Sequence, residues 1–144
     1  MTGATFPALS VWQPWAELIV SGRKPLEIRA WKRSYRGRIW IHAGKHVDEA
    51  LDARFGLRHP FRGGFIGSAE LTSIELLDEH RWEQWRHLHH DSGPFKIGML
   101  AWVLAHPKRL ARPVPAPGDL GLFPVPGDVL AELNAADRES GGDQ

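Results

Sequence analysis

In two stretches, Leu26–Trp31 and Arg38–Ala43, apolar and polar residues alternate with a period of two, and this pattern constrains the chain more than any other. Successive side chains of an extended strand point to opposite faces. Leu26, Ile28 and Ala30 therefore share one face, and Glu27, Arg29 and Trp31 the other. In the second stretch Ile39, Ile41 and Ala43 make an apolar face and Arg38, Trp40 and His42 an amphipathic one. Tyr35-Arg36-Gly37 lies between them as a turn, so the pattern predicts two antiparallel neighbours.

Other strands follow by the same logic. Ala8–Val11 is a short apolar run that Gln13-Pro14 interrupts, and Phe65–Leu77 and Met99–His106 resume strand character, the latter bounded by Pro107. Helices stand apart from these runs. A proline suits the first helical turn, so one helix is expected over Pro14–Ser21. Trp15, Leu18 and Ile19 form its buried stripe, and Gly22 sits where a left-handed residue ends a helix. Further helices are expected over Asp48–Phe55, Glu79–His90 and Val129–Ala136. Arg112–Gly127 is rich in proline and glycine, yet Leu120, Leu122, Phe123 and Val125 are too apolar for a free linker, which predicts an ordered return across the sheet. Short strands with segregated helices lack the regular spacing of a parallel βαβ sheet. They predict an α+β, mainly β chain: a small β-barrel of about six strands with peripheral helices.

A chain of 144 residues, 42% hydrophobic and 24% charged, carries material for one core. A single domain over residues 1–136 is expected, with a polar, disordered tail over 137–144. The absence of cysteine removes disulfides, thiolate metal sites and a cysteine nucleophile. No apolar run approaches the roughly 20 residues that span a bilayer, so the expectation is a cytoplasmic monomer without a membrane role. Net charge is only +1, which gives no ground for strong, sequence-independent DNA binding. The charge is unevenly spread: Arg23–Lys45 holds eight cations against Glu27 alone.

The chemistry-bearing residues cluster in Gln13–Arg29. Gln13 donates to and accepts from a base edge, Trp15 offers a stacking face, and Lys24 is a point charge behind the helix-ending Gly22. Glu27 accepts from an amine or serves as a general base, and Arg29 grips a phosphate or holds Glu27 ionised. The competing reading makes Trp12 and Trp15 core residues and Glu27 with Arg29 a surface ion pair. His42-x-x-x-His46 has a metal-like spacing, but it ends a strand and is followed by Gly44. His80, His87 and His90 lie on a charged helix, so no metal and no cofactor is expected.

Ser10, Gln13-Pro14-Trp15, Gly22-x-Lys24, Glu27-x-Arg29, Arg36-Gly37 and Ile41-His42-Ala43 with Lys45 together resemble the signature of ASCH domains, which are PUA-like barrels. Gly64-x-Ile66-Gly67, Ala101-Trp102 and Gly118–Phe123 are similar to later elements of that family. The resemblance implies a cleft between the first helix and the strand after it, lined by Gln13, Trp15, Lys24, Glu27, Arg29 and Lys45, that takes RNA or a modified nucleoside. Some relatives are amidohydrolases on N4-acetylcytidine that use a lysine and a threonine in Gly-x-Lys-x-x-Thr with a glutamate; others are ribonucleases or coactivator domains. Here Lys24 matches the lysine, but Glu27 stands at the threonine position, which favours binding over catalysis. If the chain is a hydrolase, a metal-independent one, Lys24 and Glu27 are the candidate catalytic pair. Glu70 or Glu75 would be the second carboxylate, and Glu27 or His42 with Lys24 or Lys45 the parts for RNA cleavage. A third expectation is a protein-interaction domain presenting a tryptophan-rich helix over Arg81–Leu88.

Overall fold

The computed structural model describes residues 5–141. Six strands, β1 (Ala8–Val11), β2 (Leu26–Arg29), β3 (Gly37–Ala43), β4 (Gly64–Leu76), β5 (Leu100–Pro115) and β6 (Leu122–Phe123), form one sheet in the order β2-β5-β4-β3-β1-β6. The sheet is mixed: β1 runs parallel to β3, and every other pair is antiparallel. It curls strongly into a half-barrel whose edge strands are β2 and β6. Five helices are peripheral: α1 (Trp15–Val20), α2 (Glu49–Arg54), α3 (Glu79–Gln84), α4 (Arg86–His89) and α5 (Gly127–Glu139).

Alternation along the strands sorts the core into two faces. Leu9, Val11, Ile39, Ile41, Ala43, Leu71, Trp102 and Leu104 point inward and are closed off by Ala16, Ile19 and Val20 of α1. Ala8, Trp40, Phe65, Leu110 and Val114 point the other way, under Leu133 and Ala136 of α5. β3 is thus buried on both faces, and Trp40, expected on a half-solvated face, is fully covered. A third cluster joins Leu26, Leu77, Trp82 and Ala101.

Several local readings hold. β1 has the expected bounds, α1 lies within Pro14–Ser21, and Gly22 has φ +85°, a conformation that costs glycine little because it has no Cβ. Asp48 caps α2 by accepting from the Leu51 N–H. The proline-rich return is ordered, with β6 pairing antiparallel to β1.

Other readings fail for physical reasons. β2 and β3 are not neighbours: β2 pairs with β5, from Leu26↔Val103 to Arg29↔Leu100. The segment between them closes no hairpin. Trp31 in it accepts a hydrogen bond from Trp102 Nε1 (3.1 Å), which carries the chain across the inner face. β5 does not stop at Pro107 but continues to Pro115. The ladder skips from Glu70↔Ala105 to Ser68↔Lys108, so the proline falls in a bulge beside His106 (φ +48°), where its missing N–H is not needed. The helix expected over Glu79–His90 breaks at Trp85 into α3 and α4. Within it Trp82 is fully buried, stacked on His89 at 4.0 Å and donating to the Gly93 carbonyl, and Trp85 is half-buried. Of the two tryptophans expected on an exposed surface over Arg81–Leu88, one therefore belongs to the core and the other is only partly exposed. At the C-terminus, α5 extends through Asp137, Arg138 and Glu139, so this part of the expected tail is helical; its last residues, 142–144, lie outside the described ones.

Close packing of strand on strand sets one sharp requirement. A Cβ on Gly67 would lie 2.4 Å from the Lys108 carbonyl oxygen and 2.6 Å from a Val20 methyl. Gly67→Ala is expected to lower stability by about 1–3 kcal/mol, the usual cost of overpacking. Gly127→Ala meets nothing within 4 Å in the first turn of α5 and should leave stability unchanged or slightly raised. Urea denaturation midpoints of the two variants check the contrast.

Candidate functional site

The end of α1 positions the first cation. Its C-terminal carbonyls are satisfied in sequence: Glu17 by the Ser21 N–H, Ile19 by the Gly22 N–H, and Leu18 by the Lys24 N–H at 2.9 Å. The chain then enters β2 with the Lys24 side chain directed inward and only 3% of the residue exposed. Lys24 Nζ donates to the His89 carbonyl, lies 4.8 Å from the Trp15 ring centroid, and is 3.9 Å from Glu27 Oε1. Burial pushes its pKa below the ordinary lysine value, against the opposing pull of Glu27 and Asp91.

Glu27 and Arg29 share a face of β2, as period-two alternation demands. Arg29 Nε donates to Glu27 Oε2 at 2.9 Å, and Arg29 Nη2 donates to the Ser10 carbonyl at 3.0 Å. That second bond crosses the open side of the half-barrel from edge strand β2 to β1. Ser10, Val11, Trp12, Trp15, Glu27 and Arg29 line a hollow of 210 Å³ at this crossing. Trp12 is 58% exposed and stacks on His46 with ring centroids 3.7 Å apart. Beyond Arg29, the Trp31 ring carries Arg33 at 4.4 Å and Arg29 at 5.9 Å. Lys32, Arg33 and Arg36 are exposed on the loop that follows.

Three of the anticipated residues, Trp15, Glu27 and Arg29, thus meet at one hollow, with Lys24 behind Glu27 and not lining it. Gln13 is elsewhere engaged. It is 1% exposed, its Oε1 accepts from the Glu17 N–H (2.9 Å) and its Nε2 donates to the Phe61 carbonyl (2.9 Å), so it caps α1 and ties it to the loop before β4. Lys45 is exposed beside Gly63 and does not reach the hollow. Glu75 pairs with Arg81 and Glu70 lies opposite Arg38 across the β3–β4 ladder, and neither lines it. His42 is buried with both nitrogens committed, to Ser10 Oγ at 3.0 Å and the Ala116 carbonyl at 2.8 Å. Among the described residues no group of three or more His, Asp or Glu is placed to hold a metal. Trp12 was missed as a site residue because a tryptophan next to an apolar strand reads as core. The signal for exposure was Gln13-Pro14, which ends the strand just after it.

The ASCH domain profile matches residues 9–114. Activating signal cointegrator 1 of Homo sapiens is 57% identical over 121 residues and that of Mus musculus 28% over 120; each match covers 77% of this chain and 21% of the relative. The chain spans about a fifth of the length of these curated relatives. Because two relatives of one name differ so widely in identity, the domain match carries the family assignment. ASCH from Zymomonas mobilis has the same fold, with a TM-score of 0.66 at 20% identity over 90% of this chain and 93% of that one. The half-barrel is accordingly of the ASCH, PUA-like kind.

His89, whose carbonyl holds Lys24, makes stability depend on pH. It is fully buried; its Nδ1 accepts the Asp91 N–H at 3.0 Å, so the proton sits on Nε2, which donates to the Trp82 carbonyl at 2.9 Å. Only the neutral ring satisfies both partners, and burial pushes its pKa below 6.5, as it does for His42. The unfolded chain then binds more protons than the folded one as pH falls past 6.5. The stabilisation is complete above that value and is lost progressively below it. Urea midpoints at pH 7.5 and 5.5 should show lower stability at 5.5, with the difference reduced in His89→Gln; equal midpoints in the parent protein would contradict the assignment.

Proposed function

Because the chain belongs to the ASCH domain family, we propose that it binds a single nucleobase of RNA, or a free nucleoside, in the hollow between α1 and β2. The exposed face of Trp12 beside the Glu27–Arg29 pair carries this reading. A tryptophan 58% exposed leaves most of its apolar surface in water. Stacking a base on it recovers roughly 1–3 kcal/mol, and every base has a face to offer. The hollow, at 210 Å³, is smaller than the roughly 300–1,000 Å³ of sites for drug-sized ligands, which suits one base rather than a run of them. An A-form duplex keeps its base edges stacked inside, so the fitting partner is single-stranded or unpaired. The phosphates would then follow the exposed cations Lys32, Arg33 and Arg36, a short basic path that suits modest, salt-dependent affinity.

Binding fits the geometry better than hydrolysis of an N4-acylated cytidine or of an RNA phosphodiester. The depressed pKa of Lys24 would suit a base catalyst, yet its Nζ is spent on the His89 carbonyl and Glu27 stands between it and the hollow.

Trp12 contributes to no described core cluster, so its removal separates binding from folding. Trp12→Ala is expected to keep the circular dichroism spectrum and weaken binding of a short single-stranded RNA about tenfold or more, by fluorescence anisotropy at low salt. Arg33→Gln with Arg36→Gln should flatten the dependence of affinity on salt. No binding of any RNA or nucleoside by the parent protein, or full binding by Trp12→Ala, would remove the proposal.

A further inference from the structure

We propose that Glu27 and Arg29 make the hollow selective for guanine; this rests on the nucleobase reading above and names which base it takes. Glu27 lies in the hollow with its two oxygens in different situations. Oε2 accepts from Arg29 Nε at 2.9 Å, and Oε1 stands 3.9 Å from Lys24 Nζ, beyond hydrogen-bond range. A carboxylate oxygen accepts about two hydrogen bonds, so both can still receive one from a ligand. Arg29 uses Nε on Glu27 and Nη2 on Ser10, and among the described residues Nη1 makes no hydrogen bond. Its side chain is 22% exposed against 8% for Glu27. The hollow is thus lined by a carboxylate with acceptor capacity left and a guanidinium with donor capacity left, on a strand held on one side by β5 and on the other by the Ser10 contact.

The edges of the four bases answer this arrangement unequally. Guanine carries two neighbouring donors, the N2 amine and N1–H, followed by the O6 acceptor. It alone can give both carboxylate oxygens a hydrogen while O6 receives one from Arg29. Adenine and cytosine each offer a single amine followed by an acceptor, which leaves one carboxylate oxygen facing a lone pair or nothing. Uracil has one N–H between two carbonyls, and one of those carbonyls must face the carboxylate. A buried charged acceptor without a donor is costly, so the mismatch weighs more here than it would on an open surface. With Trp12 and Trp15 as aromatic walls, the base enters edge first and stacks once inside. Lys24 has a supporting part: it packs behind Glu27, 3.9 Å from Oε1, without taking up the ligand-facing positions of the carboxylate.

Inosine tests this directly, since it is guanosine without the N2 amine and keeps N1–H, O6 and ring shape. Binding should be measured by titration calorimetry for guanosine and inosine, and by anisotropy for short oligouridines carrying one central guanosine, inosine, adenosine or uridine. Guanosine is expected to exceed inosine by about tenfold or more, the worth of one hydrogen bond to a charged group. Glu27→Gln should erase that difference while the fold is retained by circular dichroism. Guanosine binding as tightly alone as within the strand would assign a free nucleoside as the ligand, and tight binding only in the strand would assign RNA; either supports guanine selection. Equal affinity for guanosine and inosine in the parent protein, with RNA binding intact, would overturn the selectivity and leave the nucleobase reading standing. Failure of every oligomer and nucleoside to bind would overturn both.

Discussion

The pairing of β4 with β5 slips register three times, between Phe65 and Gly67, Ser68 and Glu70, and Leu71 and Ser73, and the position of every group at the site depends on this. Each irregularity leaves residues unpaired, bends the strand and increases its twist. In a flat sheet the four strand spacings from β2 to β1 would separate them by roughly 19 Å, far beyond the reach of any side chain. Curling brings them close enough for Arg29 to donate to the Ser10 carbonyl at 3.0 Å. The sheet stays open between its edges β2 and β6, and the hollow lies where β2 approaches Ser10 and Val11, the end of β1 beyond its pairing with β6.

In and behind this opening the chain sets three ionisable groups from one short segment, Lys24, Glu27 and Arg29, two of them almost wholly buried. Taking an ammonium or a carboxylate out of water costs several kcal/mol per ion, and apolar residues would pack a strand end more favourably. The cost is partly offset by the Lys24 bond to the His89 carbonyl and the Arg29 bonds to Glu27 and Ser10. Groups retained against such a penalty are reasonable places to look for recognition, and here they line or back a cavity with an exposed tryptophan at its rim. The other aromatic residues behave differently. Trp40, Trp82 and Trp102 are fully buried and serve the cores.

The His89 carbonyl joins the backing of the hollow to the packing of α4. His89 ends α4 with a fully buried ring that must stay neutral, and its carbonyl is what Lys24 holds. Helix α4, the end of α1 and strand β2 therefore meet at one point. The break at Trp85 makes this possible. In a continuous helix over Glu79–His90, Trp82 and His89 would share a face but stand roughly 10 Å apart along the axis, whereas the break at Trp85 brings their rings together at 4.0 Å.

By itself the sequence determined the elements whose cause is local. The period-two stretches are strands because alternation in that pattern has one stable use; the helix after Gln13-Pro14 and its end at Gly22 follow from backbone preferences of a few residues; and the motif from Ser10 to Lys45 pointed to the ASCH family before any contact was visible. Glu27 and Arg29 could be placed on one face for the same reason. Tertiary structure alone decided which strands are neighbours, because β2 pairs with β5 across more than seventy residues of chain and local pattern carries no information on that choice. It alone also sorted the candidates: Gln13 became a helix cap when the Phe61 carbonyl came within reach, Lys45 stayed outside, and Trp12 came to the rim. Whether a polar side chain is spent on the fold or left free for a ligand depends on what the rest of the chain brings beside it, and that is settled only when the sheet curls.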